Sequence, residues 1–151
     1  MMNTFNLPTI LHVDDDENDR LLLNIAHYRA KVPARLIGLN DGREAVAYLQ
    51  GEGVYRDRER TPVPDLVLLD LKLPLKSGFE VMEWIRAQVT LQYMPVVVLS
   101  SSQSEADKRR AFRLGANFYI VKPVTIPAMM EMLKQLHTQW LAQTVPLFGC
   151  A

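Results

Sequence analysis

Four short apolar runs, at 9–13, 66–69, 96–99 and 118–121, constrain this chain more than any other feature. Each is rich in Val, Ile and Leu, is too short for a helix, and stops at a polar residue. Nearly continuous apolarity, without alternation, marks a parallel strand covered by helices on both faces. A weaker fifth candidate lies at 35–39. Between the runs the apolar spacing changes to a helical period. At 16–30 it puts Leu21, Leu22, Ile25 and Tyr28 on one stripe, and at 43–50 it groups Ala45, Val46 and Leu49. At 79–87 it groups Val81, Met82 and Ile85. The segment 104–114 stops at Gly115, and 125–141 opens with Thr125 as a cap and Pro127 in the first turn. Strand and helix alternate five times, which predicts an α/β domain on a parallel sheet. The stretch 51–64 (GEGVYRDRERTPVP) reads as one long surface loop whose charges face solvent.

Composition narrows the function classes. Lys plus Arg is 17 and Asp plus Glu is 17, so the formal net charge is zero and no basic field favours nucleic acid. The single cysteine, Cys150, excludes a disulfide framework and a cysteine-ligated metal. No uncharged run approaches the roughly 20 apolar residues of a membrane span. The N-terminus lacks the basic and apolar regions of a secretory signal, and the expectation is a reduced, cytoplasmic, single-domain protein without a membrane partner.

The polar residues that end the strands carry the chemistry. Asp14 and Asp15 follow the first strand, Asp70 the third, Ser100 the fourth and Lys122 the fifth. In an open parallel sheet these are carboxyl ends, the edge at which such folds bind ligands. Three carboxylates brought within a few ångströms either shift their pKa values upward or bind a cation. Oxygen ligands without His or Cys favour a hard ion such as Mg2+. Lys122 adds a point charge and Ser100 a hydroxyl donor, both suited to the oxygens of a phosphoryl group in transfer. One carboxylate can then act as nucleophile and become an acyl phosphate. Other residues read more simply. Asp16 suits a helix N-cap, and His12 suits a hydrogen-bonded core histidine. Ser100 also suits a loop start, and Tyr119 fits a sheet aromatic as well as a switch.

The segments ILHVDDD (10–16), PDLVLLDLKLP (64–74), PVVVLSSS (95–102) and NFYIVKP (117–123) resemble the receiver domain of two-component response regulators. The resemblance spans 7–142, giving a receiver domain at 1–142 and a C-terminal tail at 143–151. It implies a (βα)5 doubly wound five-stranded parallel sheet of order 2-1-3-4-5, the flavodoxin-like arrangement. It makes Asp70 the phosphoacceptor and Lys122 the phosphate-contacting lysine. Mg2+ would sit on Asp14, Asp15, Asp70 and the backbone carbonyl of Lys72, with Ser100 and Tyr119 as the switch pair. A cis bond before Pro123 is also implied. Lys72 itself departs from the Asn or other polar residue common at its position, which bears on the lifetime of the phosphorylated state.

The phrases DGREAVAYLQGEGVY, SSSQSEAD and LGANFYIVKPV are similar to single-domain regulators paired with phytochrome-type histidine kinases. The implied partner is a sensor histidine kinase or a phosphotransfer protein. The implied output is protein contact rather than enzymatic turnover beyond self-catalysed phosphotransfer and autodephosphorylation. Three alternatives compete. A phosphatase of the haloacid dehalogenase type needs a second Asp where Lys72 stands. A flavin binder would meet repulsion from Asp14, Asp15, Asp16 and Glu17. A pseudo-receiver would share the fold but not the phosphorylation.

A last expectation concerns self-association. Ile126, Met129, Met130, Met132, Leu133, Leu136, Trp140 and Leu141 exceed one core-facing stripe, and Val145, Pro146, Leu147 and Phe148 form an apolar tail. Together with Phe112 among the basic residues of the fourth helix, they predict a homodimer.

Overall fold

The computed structural model describes residues 7–142. Three strands, β1 (Thr9–Val13), β3 (Leu66–Leu69) and β4 (Val96–Ser100), are buried at every position. Their largely apolar sequences follow from that double coverage. β2 (Arg35–Leu39) and β5 (Phe118–Val121) form the edges of a parallel sheet of order β2-β1-β3-β4-β5. Edge position corrects one expectation. Phe118 and Val121 stay 45% and 37% exposed, so β5 is not covered on both faces.

Five helices cover the sheet: α1 (Glu17–Ala30), α2 (Gly42–Gln50), α3 (Gly78–Ala87), α4 (Glu105–Arg113) and α5 (Ile126–Leu136). Every one opens on a side chain that accepts the N–H three residues on: Asp16, Asp41, Ser77, Ser104 and Thr125. Such a cap contributes about 1 kcal/mol and fixes where the preceding loop must end. Alternate residues along the strands feed two cores. Leu11, Val13, Val67, Leu69, Val96 and Val98 meet α2, α3 and α4, whereas Ile10, Leu66, Leu68, Val97 and Leu99 meet α1 and α5. No helix among the described residues is long and apolar enough to cross a membrane.

Several local expectations are revised. In α1 the buried residues are Leu23 and Ala26, while Leu21 and Tyr28 face solvent. Small Ala26 permits a close approach to the sheet that the larger Tyr28 cannot. The apolar residues of α5 are not surplus. Met129, Met132, Leu133 and Leu136 are buried, and Ile126, Met130 and Trp140 pack against the same core. A π-helical turn at His137–Leu141 rotates the chain so that Leu141 is also buried. The bond before Pro123 is trans, as is every described peptide bond, in line with the modest trans preference of X–Pro. The tail at 143–151 lies outside the described residues.

Candidate functional site

Strand register builds the site. Val13 pairs with Leu69, so the next residues, Asp14 and Asp70, leave neighbouring strands side by side. Their backbones are tied in: Asp70 N–H donates to Val13 O, and Asp14 N–H donates to Leu39 O, each at 3.0 Å. Ser100 pairs with Val121, which delivers Lys122 one residue beyond, and Lys122 N–H donates to Ser100 O at 2.9 Å. The crevice therefore opens between β1 and β3, where the winding of the sheet reverses. Gly78 completes it from below. A Cβ there would lie 2.1 Å from Asp70 O, so only glycine lets α3 start against the Asp70 backbone.

The side chains form one charged cluster. Lys122 Nζ donates to Asp70 Oδ2 and Asp19 Oδ2 at 2.8 Å each and lies 2.8 Å from Asp14 Oδ2. Ligand oxygens of Asp14, Asp15 and Asp70 lie within 4.8 Å of one another. Asp14 and Asp70 are buried, and Asp15 is exposed at the mouth. Burial pushes the Asp14 carboxyl above its ordinary range, although the Lys122 hydrogen bond pulls it down. Burial alone would lower Lys122. Hydrogen bonds to Asp14, Asp19 and Asp70 outweigh that loss and hold the ammonium above its usual value. His12, buried in β1 with Nε2 3.7 Å from Asp14 Oδ2, is driven down to about 3 by burial and the nearby Lys122 and Arg20 charges. It is therefore neutral at physiological pH.

The donor set fits a hard divalent cation. Asp14 Oδ2 is a buried carboxylate oxygen whose one close charged partner is the Lys122 ammonium, 2.8 Å away and shared with Asp19 and Asp70. Such an oxygen beside two further carboxylates, with no nitrogen or sulfur donor in the group, is what Mg2+ or a similar ion satisfies.

The other expected residues fall one step away. Ser100 is buried, and its Oγ accepts the Ser102 N–H at 3.2 Å. Tyr119 donates its hydroxyl to Ser102 O at 2.8 Å, with Lys108 Nζ 5.9 Å from its ring centre. Ser100 and Tyr119 thus meet at Ser102, whose own hydroxyl donates to Asp107 at 2.6 Å and so reaches α4. Lys72 is exposed, and its N–H makes a long 3.4 Å contact to Asp70 Oδ1. Asp16 caps α1 as expected. Sequence reasoning missed Asp19 and Ser102. An acidic residue in a first helical turn already has a reading as a dipole partner, which hides any second role.

The response regulator receiver domain family matches residues 10–134. The chain belongs to that family. This receiver is 37% identical over 138 residues to the response regulator Rcp1 of Synechocystis sp., covering 91% of each protein. Its fold matches the phosphorylated cyanobacterial phytochrome response regulator RcpA with a TM-score of 0.81 and 37% identity, over 92% of this chain and 97% of that one. The Mn2+-bound form of Rcp1 matches with a TM-score of 0.77 and 36% identity, over 92% and 97%. Fold order and family agree with the sequence reading, and membership implies a histidine kinase as the signalling partner.

Proposed function

We propose that Asp70 accepts a phosphoryl group from a phosphohistidine of a sensor histidine kinase, or of a phosphotransfer protein, in a Mg2+-dependent reaction. One observation carries this reading. The Asp70 carboxylate sits at the carboxyl edge of the sheet, held by Lys122 and within reach of the Asp14 and Asp15 oxygens. Mg2+ would be held by Asp14, Asp15, Asp70 and the Lys72 carbonyl, where it would neutralise charge on the phosphoryl oxygens. The Asp70 oxygen attacks phosphorus. The P–N bond of the donor breaks, its electron pair stays on the imidazole nitrogen, and that nitrogen takes up a proton. Lys122, already donating to Asp70 Oδ2, follows the negative charge onto the phosphoryl oxygens. The Ser100 hydroxyl is the next donor along the same edge, and a turn of it toward the phosphoryl group would release its bond with Ser102 N–H. Tyr119, joined to the same Ser102, would register that change.

Exposed Leu21, Leu75 and Val124 lie on α1 and on the loops after Asp70 and Lys122, at the same edge of the sheet, and support docking of the donor there. Likeness to a phytochrome response regulator supports a phytochrome-type kinase. The same reading sets the protein in the cytoplasm, turns over nothing beyond its own phosphoryl group, and pairs it with a second copy of itself.

Acetyl phosphate with Mg2+ should add one phosphoryl mass to the intact chain. Asp70→Asn should take none while keeping the native circular dichroism, and a chelator should abolish labelling of the wild type. Equal labelling of both chains would refute Asp70 as acceptor. No labelling of either would favour a pseudo-receiver.

A further inference from the structure

The Lys122 ammonium has three N–H bonds, and three carboxylate oxygens surround it at 2.8 Å: Asp14 Oδ2, Asp19 Oδ2 and Asp70 Oδ2. Asp14 and Asp70 belong to the cluster of ligand oxygens at the strand ends, and Asp19 does not. It stands in the first turn of α1, with a side chain 34% exposed, and reaches Lys122 from the helix side. Its own N–H is occupied by the Asp16 cap, so the position of its backbone is fixed. A third charged acceptor, on the helix side of the ammonium, is not needed to hold an ion at Asp14, Asp15 and Asp70. Nor is it needed to neutralise Lys122, which already has two carboxylates.

We infer that Asp19 is a positioning residue that withholds part of the Lys122 charge from the incoming phosphoryl group and so sets the rate of phosphorylation. The inference rests on the phosphoacceptor reading of Asp70. During transfer the negative charge that Lys122 serves moves outward from Asp70 Oδ2 onto the phosphoryl oxygens. The ammonium must turn one N–H toward them while Asp14 and Asp19 retain the others. Asp14 is fixed at the end of β1 and is buried. Asp19 is the adjustable competitor, because it is charged, partly solvated and on a different element. An ammonium shared with an additional carboxylate has less of its charge to offer the transition state.

Acetyl phosphate isolates this effect from any protein donor. An Asp70 oxygen bonds to phosphorus, the bond from phosphorus to the acetyl oxygen breaks, and acetate leaves with the electron pair. Labelling rates are compared at saturating Mg2+ for the wild type, Asp19→Asn, Asp19→Glu and Asp70→Asn, each corrected for its folded fraction from a thermal melt. Asn keeps an acceptor oxygen and removes the charge. It should label faster by about threefold to tenfold, the difference between a charged and a neutral acceptor at a part-exposed position. Glu restores the charge and should return the rate toward wild type. A purely structural tie between α1 and the end of β5 would lower the melting temperature of Asp19→Asn and leave the rate per folded chain unchanged. An unchanged or slower Asp19→Asn rate, with wild type labelled and Asp70→Asn silent, overturns the inference and leaves the phosphoacceptor reading standing. Labelling of Asp70→Asn at the wild-type rate overturns both.

Discussion

An ammonium surrounded by carboxylates is held by geometry as much as by charge, and Lys122 shows how few residues are needed for that. Asp14, Asp70 and Lys122 were legible in the sequence because each directly follows an apolar strand run, and for Asp14 and Asp70 that strand is buried, where a charge without a partner is costly. Asp19 was not, since a helical first turn explains an acid without reference to a lysine 103 positions away. Lys72 poses a separate question. The residue is exposed two positions after Asp70, and its backbone N–H lies 3.4 Å from Asp70 Oδ1. Hydrolysis of an acyl phosphate needs a water in line with the bond from phosphorus to Asp70. In that step the water oxygen bonds to phosphorus, the Asp70 oxygen leaves with the electron pair, and inorganic phosphate departs. A long cation at the mouth can obstruct that water or hold the phosphoryl oxygens. Lys72→Ala should therefore change the decay rate of phosphorylated protein severalfold in Mg2+. Stability should move by less than about 0.5 kcal/mol, as for most exposed positions. Phosphate release followed over time checks the first claim, and an unchanged decay would leave only the Lys72 carbonyl with a role.

At the scale of elements, long basic side chains behave in a way that charge patterning does not reveal. Arg86, in the last turn of α3, turns away from solvent. Its guanidinium donates to Gly115 O, Gln92 O, Met94 O and Asn117 Oδ1 at 2.6–3.2 Å. It thereby joins α3 to the entries of β4 and β5, at the opposite end of the sheet from the carboxylates. Arg58 acts similarly inside the loop that was expected to be solvated, donating to Tyr48 O, Leu49 O and Thr61 O. Helix and strand were readable from apolar period, but these ties were not, because a basic residue in a polar stretch has the same signature whether it faces in or out. The error in α1 has a related cause. Three consecutive leucines, Leu21, Leu22 and Leu23, give no unique face, and Ala26 decides which one packs. Arg86→Ala should cost about 2–4 kcal/mol, since several carbonyls lose a charged donor at once. Arg86→Lys should recover only part of that, because an ammonium cannot reproduce the planar fork. Urea denaturation measures both. Acetyl phosphate labelling per folded chain should be the same in all three proteins, as the clamp lies far from Asp70.

For the whole molecule, the open question is what covers the β5 edge. The apolar residues of α5 do not supply a dimer face, because Met132 is 7% exposed and packs with Leu133 and Leu136. Met132→Glu would bury a charge in the core and report on folding, not on pairing. Three exposed apolar side chains lie instead on α4 and β5: Phe112 at 48%, Phe118 at 45% and Val121 at 37%. A four-residue edge strand with two half-exposed apolar side chains invites a second apolar surface. Glu105, Lys108, Arg109 and Arg113 surround Phe112, a net positive rim that a two-fold pairing would bring against itself, so association here would rest on the apolar groups and strengthen with salt. Lys108 on this face lies over the Tyr119 ring, whose hydroxyl donates to Ser102 O, so pairing here would be coupled to the proposed switch at Ser100 and Tyr119. Light scattering should therefore give close to twice the monomer mass at high micromolar concentration, with acetyl phosphate and Mg2+ shifting the midpoint. Burying the exposed half of a phenylalanine removes roughly 100 Å² of apolar surface from water, worth about 2.5 kcal/mol. Phe112→Glu should accordingly weaken association by one to two orders of magnitude, and Phe118→Lys by a similar factor. Neither should change the melting temperature of the monomer appreciably, since both side chains are already half in solvent. A particle that remains monomeric with and without phosphorylation, or a dimer indifferent to both substitutions, would remove the α4–β5 face as the place where two receivers meet.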